Sequence, residues 1–417
     1  MKKYIFVLLI CVLTFSPEML MAGEIKIISE VKRFTVPPSI AENGKSFVYV
    51  AETSETSEPT VFVSTIKKNG DFSRPLPVFD SSIKPKGLDA SFKPFIPITA
   101  QDKTTGFNSP TVQNGVITFF AVLKDNRQGV FYARQIAGKW QVFPIVMQGQ
   151  QAPSIKGKTI SSLNSPYITS NSQAIFLATL DDKTDVVYSY KIPGMSAGDS
   201  AAKPAILYET GNKSHDFYDI SVEDATFATR AEDDAGVLGM YIFNRALKKL
   251  VKTVPPQYKV IDKWPPVILD GPSYYAGKLA FEVYSKNKDK DISGIFTNAG
   301  GNNYSVPIVH SSKKYKSLET TFYFRTRNPT LFIEEGKAFI AFMGFPSKQK
   351  DITGVYLAEI KEGKVRLKKV AVPGQKHANN MEIKSAEIGA VSIRDRIVPM
   401  TLTMTNGRKY IAVAKVE

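Results

Sequence analysis

The side chains of this 417-residue chain best suited to chemistry are few. His215 or Tyr218 could act as a base, and Arg325 or Arg327 could neutralise the carboxylate of a uronate sugar, the combination a polysaccharide lyase needs. A glycoside hydrolase would instead need two converging carboxylates, and Asp216, Asp219, Asp270 and Glu282 are the acids nearest the apolar strands described below. Gly194-Met-Ser196-Ala-Gly198 has the Gly-x-Ser-x-Gly spacing of a nucleophile elbow, but that serine belongs on a strand-to-helix turn, and here Pro193 precedes it and no helical pattern follows. A solvated loop is the preferred reading over a serine hydrolase. Asp289-Lys-Asp291-Ile-Ser293-Gly294 opens like a calcium loop, yet its twelfth position is Gly300 where a bidentate glutamate is needed, so a charged hairpin is expected. Three histidines occur, His215, His310 and His377, without His-x-x-x-His spacing. No metal site and no cofactor are therefore expected.

Whatever these residues do, a repeated element must hold them. Its phrase is a proline, a short apolar strand, a polar turn and a second apolar strand ending in aromatics: Pro38 to Phe47, Pro110 to Phe119, Pro166 to Phe176 and Pro329 to Phe339. Pro266 to Phe281 is a longer version, and Asp219 to Phe227 lacks the proline. A third strand then starts at Thr60, Gly129, Val186, Gly239, Gly294 and Gly354, each time with an aromatic close behind, and a more polar fourth strand follows. Four antiparallel strands, apolar first and polar last, are what a propeller blade requires. A weaker seventh unit, residues 386–414, ends one strand short, and residues 24–34 form a strand with no blade of their own. The expectation is an all-β, seven-bladed β-propeller whose N-terminal strand joins the last blade and closes the ring. Six blades are the runner-up, and a two-sheet sandwich fits the unit length less well.

The turn-and-strand pieces Glu42-Asn-Gly-Lys-Ser-Phe47, Ala276-Gly-Lys-Leu-Ala-Phe281 and Glu335-Gly-Lys-Ala-Phe339 resemble the secreted bacterial tandem-repeat propellers with Asn-x-x-Gly-x-x-Ala-Phe-like units, which are TolB-like and NHL-like in shape. The resemblance spans nearly the whole chain after its leader and implies a fold, with no chemistry attached.

Residues 1–23 read as a secretory signal: Lys2 and Lys3, an apolar stretch from Tyr4 to Phe15, and a small-residue cleavage site ending in Ala22. That stretch is shorter than a membrane span, and no later segment is long and apolar enough to serve as one. Cys11, the one cysteine, lies inside it, so residues 24–417 are expected to form a single propeller domain without disulfides. A periplasmic or secreted monomer follows. The net charge of +15 comes mainly from lysine. Scattered lysine suits an anionic partner outside the cytoplasm, an acidic glycan or a cell-envelope protein, and not nucleic acid.

A ligand site in such a fold belongs at one mouth of the central channel. The residues leading into the inner strands supply the candidates: Asn108, Asn164, His215, Tyr218, Lys263, Trp264, Arg325 and Arg327. They mix amides, cations and flat aromatics, a set that can hydrogen-bond hydroxyls and carboxylates while stacking on a sugar or peptide. Two long polar connections, residues 81–106 and 148–162, add Lys84, Lys86, Lys93, Lys103, Lys156 and Lys158 to that face. The reading is a binding or protein-interaction scaffold acting through this mouth. A lyase or hydrolase on an acidic glycan at the same mouth is the alternative.

Overall fold

The Gly-x-aromatic start of the third strands has a steric cause. In the computed structural model, a Cβ added to Gly129 would lie 2.7 Å from the ring of Phe131, and one on Gly239 or Gly354 would lie 3.0 Å from the ring of Tyr241 or Tyr356. Side chains two residues apart share a strand face, so the missing side chain makes room for the ring that packs back over it. The hairpin between first and second strands is equally local. Asn114-Gly115, Ala276-Gly277 and Glu335-Gly336 all hold both turn residues at positive φ, as the two-residue turn matched to strand twist demands.

The structure describes residues 23–417 apart from 68–70, 96–109, 165, 195–202, 211–216, 225, 233–237, 255–267, 288–289, 300–305, 312, 324–325, 350, 378–379 and 390. The described strands form seven antiparallel sheets arranged as the blades of a β-propeller, with a two-stranded ladder of Lys314–Tyr315 and Thr320–Thr321 beside them that brackets the 3-10 turn Lys316–Leu318. No described helix is long and apolar enough to cross a membrane. The innermost strands are Arg33–Ile40, Thr111–Gln113, Ile160–Leu163 with Tyr167–Ile168, Phe217–Glu223, Ile268–Tyr275, Arg327–Glu334 and Ile383–Glu387, for blades 1 to 7 in order. Each enters at one end of the axis, here the entry end, and hairpins into its second strand at the other, the turn end.

Blade 7 is Ile383–Glu387, Ile397–Met404 and Lys409–Lys415, and its outer strand is Ile25–Val31. Ile25 pairs with Ala414 and Val31 with Lys409, so the N-terminal strand closes the ring as the sequence predicts, although Arg33 and Phe34 already belong to blade 1. His377 binds the carbonyl of Ile25 through Nε2 at 2.9 Å, clamping the same strand from the side.

The core lies between blades. Phe79, Phe119 and Phe131 meet between blades 1 and 2, and the connection after residue 80 inserts Phe92 and Phe95 among them, both essentially inaccessible. This corrects the view of residues 81–106 as a polar functional loop: its described part, through residue 95, is anchored in the core. Residues 148–162 likewise bury Ala152 and Ile160, and Ile160–Leu163 is already strand. Lys158 there is paired with Asp182 at 2.8 Å.

Candidate functional site

The axis is built in layers. A hydroxyl residue recurs along five inner strands, at Ser39, Thr111, Ser221, Ser273 and Thr330, with Tyr167 in blade 3 and Ser392 in the segment that follows the inner strand of blade 7. Three of these stitch adjacent blades: Thr111 accepts the N–H of Ile168 at 3.1 Å, Ser221 that of Tyr274 at 2.9 Å, and Ser273 that of Leu331 at 2.8 Å. An inner edge strand has unpaired backbone groups facing the next blade, and a short hydroxyl is long enough to satisfy one. The bonds also set the repeat register in blade 5. The counterpart of Pro38-Ser39 is Pro272-Ser273, six residues after the Pro266 from which the sequence reading counted. Replacing Ser273 with alanine would leave the fully buried Leu331 N–H without its acceptor, an expected cost of ~1–3 kcal/mol in urea unfolding, largely recovered by Ser273→Thr.

Two residues further on, at the turn end, the same position reads Ala41, Gln113, Thr169, Glu223, Tyr275, Phe332 and Arg394. Arg394 is 4% exposed, stacks on Tyr275 with the guanidinium 4.6 Å from the ring centroid, and donates Nη1 to the carbonyls of Ile393 at 2.8 Å and Leu331 at 3.1 Å. Glu42, from the turn of blade 1, accepts the backbone N–H groups of Ser170 in blade 3 and Asp224 in blade 4. Blades 1 and 4 lie on opposite sides of a seven-membered ring, so this carboxylate spans the axis. Glu223 accepts the N–H of Ala276, and Asn43, Asn114 and Ser170 form a chain of hydrogen bonds beside it. Burial pushes the carboxyls of Glu42, Glu223 and Asp395 above their ordinary values, against the opposing charge of Arg394. Burial also pulls Arg394 below its usual value. The turn end is thus closed by a polar network bonded to itself.

The entry end differs. Arg230 of blade 4 meets Asp270 of blade 5 at 3.3 Å, and its Nη1 also donates to the Leu269 carbonyl. Glu282, 4% exposed, accepts the N–H of Asn328 at 2.8 Å, and the Asn328 side chain donates to the carbonyl of Ile388 in blade 7. Gly271, at φ +52, leaves the space that the Glu282 carboxylate fills. Arg327 is exposed and lies over Phe345 at 5.8 Å; burial holds the Glu387 carboxyl above its ordinary value, partly offset by the charges of Arg327 and Lys409. Of the four acids that suggested a hydrolase, Asp270 and Glu282 therefore have structural partners.

Of the eight sequence-derived binding residues, Asn164, Tyr218 and Arg327 have described positions. Arg327 and Tyr218 lie in the first two residues of inner strands, not in loops before them, and Asn164 sits in the break of the blade 3 inner strand, its N–H bonded to Leu177. Arg327 is at the entry end. Asn108, His215, Lys263, Trp264 and Arg325 lie outside the described residues, as do Asp216 and Ser196. His310 is on the outermost strand of blade 5 and His377 is at the ring closure, both away from the axis. Asp291 and Ser293 lie in the strand Lys290–Thr297, a ladder and not a calcium loop, and no group of three metal-ligating side chains occurs among the described residues. The sequence reading missed Glu42, Glu223 and Arg394. Lining up the seven inner strands on their hydroxyl residues would have shown them two or three places on.

No family model and no curated protein sequence matches the chain. Among solved structures it is similar to the polysaccharide lyase Uly1, with a TM-score of 0.50 at 9% identity over 93% of this chain and 91% of that one. It is also similar to the β-propeller domain of the Trilobed protease from Pyrococcus furiosus, at 0.48 and 11% over 92% and 97%. TolB from Acinetobacter baumannii gives 0.35 and 12% over 89% and 80%. At such identities the likeness to Uly1 is one of fold: this chain is a seven-bladed, all-β propeller.

Proposed function

We propose that the protein is an exported propeller that binds a ligand or protein partner through the entry end of its channel. The observation that carries this reading is the asymmetry of the axis: the turn end is closed by Glu42, Arg394 and their partners, whereas the entry end presents the exposed guanidinium of Arg327. Of the described carboxylates there, Asp270 and Glu282 hold other protein groups, which favours binding over hydrolysis. Export is supported by the N-terminal leader pattern. The secreted tandem-repeat propellers that the sequence resembles fit the same reading.

The test is a thermal-shift screen of the chain from residue 24 onward against acidic and neutral oligosaccharides, peptidoglycan fragments and short peptides. A stabilising ligand is expected to lose its effect in the Arg325→Ala, Arg327→Ala double variant. A ligand bound equally well by that variant would move the site elsewhere. Turnover of the bound ligand would replace the scaffold with the lyase or hydrolase reading.

A further inference from the structure

Blade 6 carries a second feature, remote from the axis. Its register places Lys361 opposite Lys364, and continuing the same pairing puts Lys337 beside Lys361. Three lysines thus stand side by side on adjacent strands, with Arg366 in the next row opposite Glu359. Like charges directly opposite one another destabilise a sheet, so nothing in the folding of this blade calls for the row. The lysines, Arg366, Glu359 and Glu362 line an open recess of about 290 Å³. The carboxylate of Glu359 is already taken, by Lys337 at 3.3 Å and Lys368 at 3.2 Å. Lys361, Lys364 and Arg366 are exposed, and none has a carboxylate within ion-pair distance among the described residues.

The recess opens on the side of the sheet that faces blade 7, since Phe339 and Leu357, on the same face, pack with blade 7 residues and Arg396 stacks on Phe339. We propose that this recess binds one strand of an acidic polysaccharide, with Lys361, Lys364 and Arg366 pairing with its carboxylates. Neighbouring strands lie ~4.8 Å apart, a spacing on the scale of one sugar ring, so consecutive acidic sugars can meet consecutive cations. A bilayer is too broad to enter such a recess. Nucleic acid is disfavoured because its recognition uses arginine forks and stacking aromatics, and the lining has one arginine and no aromatic.

The experiment measures binding of the chain from residue 24 onward to immobilised polygalacturonate at low salt. The double variant Lys361→Glu, Lys364→Glu is expected to bind at least about tenfold more weakly, a loss of ~1.4 kcal/mol. Lys361→Gln, Lys364→Gln should fall between it and the parent. Binding should disappear near 1 M salt, where screening acts over ~3 Å. The control is Lys248→Glu, Lys249→Glu on an exposed hairpin of blade 4, which makes the same change in net charge. Equal weakening by the control would show diffuse attraction to a basic protein and overturn the proposal. So would absence of binding, or tighter binding to phosphatidylserine vesicles or single-stranded DNA through the same two lysines. Arg325→Ala, Arg327→Ala should leave this binding intact, so the recess and the entry-end site fail or stand separately.

Discussion

Replacing Arg394 with methionine is expected to lower the thermal unfolding midpoint by ~5–10 °C at pH 7, and by clearly less at pH 5. The side chain is 4% exposed and its removal deletes two hydrogen bonds to backbone carbonyls and the stacking on Tyr275. It also takes the cation away from Glu42, Glu223 and Asp395, and unpairing buried charge costs ~3–5 kcal/mol. The pH dependence follows from the direction of the carboxyl shifts. In the folded protein these three groups titrate above their ordinary values, 4.5 for glutamate and 3.8 for aspartate, because burial disfavours the charged form. The folded state then holds more protons than the unfolded chain between those values and the raised ones. Stability contributed by the cluster is present in full below the ordinary values and is lost as pH rises through the raised ones. Arg394 opposes the shift, so its removal raises these carboxyls further and widens the window. Lowering the pH from 7 to 5 should therefore recover part of the loss. An equal loss of midpoint at both values would show that Arg394 acts through packing alone.

Removing the N-terminal strand is expected to have a larger effect. A chain beginning at residue 32 loses the ladder from Ile25 to Val31 and the burial of those two side chains, worth ~3–6 kcal/mol before any hydrogen bond is counted. It also leaves Lys409–Lys415 as an apolar, unpaired edge, and such edges pair with other molecules. The expected result is a midpoint lowered by more than ~10 °C and concentration-dependent aggregation, both reversed by a synthetic peptide covering residues 24–32. A truncated chain that stays monomeric with an unchanged midpoint would show that the closure contributes nothing to stability.

The repeat was legible because each blade states its own local rules: glycine two places before an aromatic, Asn-Gly or a similar pair at the hairpin, apolar residues first and lysines last. The closure by residues 25–31 was legible because a strand short at one end matched a strand spare at the other. The site was less legible, for a physical reason. Blade 5 offers both Pro266 and Pro272 as its repeat proline, and the bond from Leu331 N–H to Ser273 decides between them. Without that register Arg394 is one charge in a degenerate unit, since only the folded ring brings it to Tyr275 and the Glu42 turn. The entry end was harder still, because Asp270 and Glu282 look like candidate acids until Arg230 and Asn328 are seen to hold them.

The pairing of Ile25 with Ala414 also fixes an order of events in time. Synthesis at roughly 5–20 residues per second takes on the order of tens of seconds for a chain of this length. Until Lys409–Lys415 has been made the first strand has no partner, and the ring cannot be completed before then. Contacts this distant in sequence are slow to form and come late in folding. A ring whose first strand waits for its last therefore closes only after the intervening blades have had time to form.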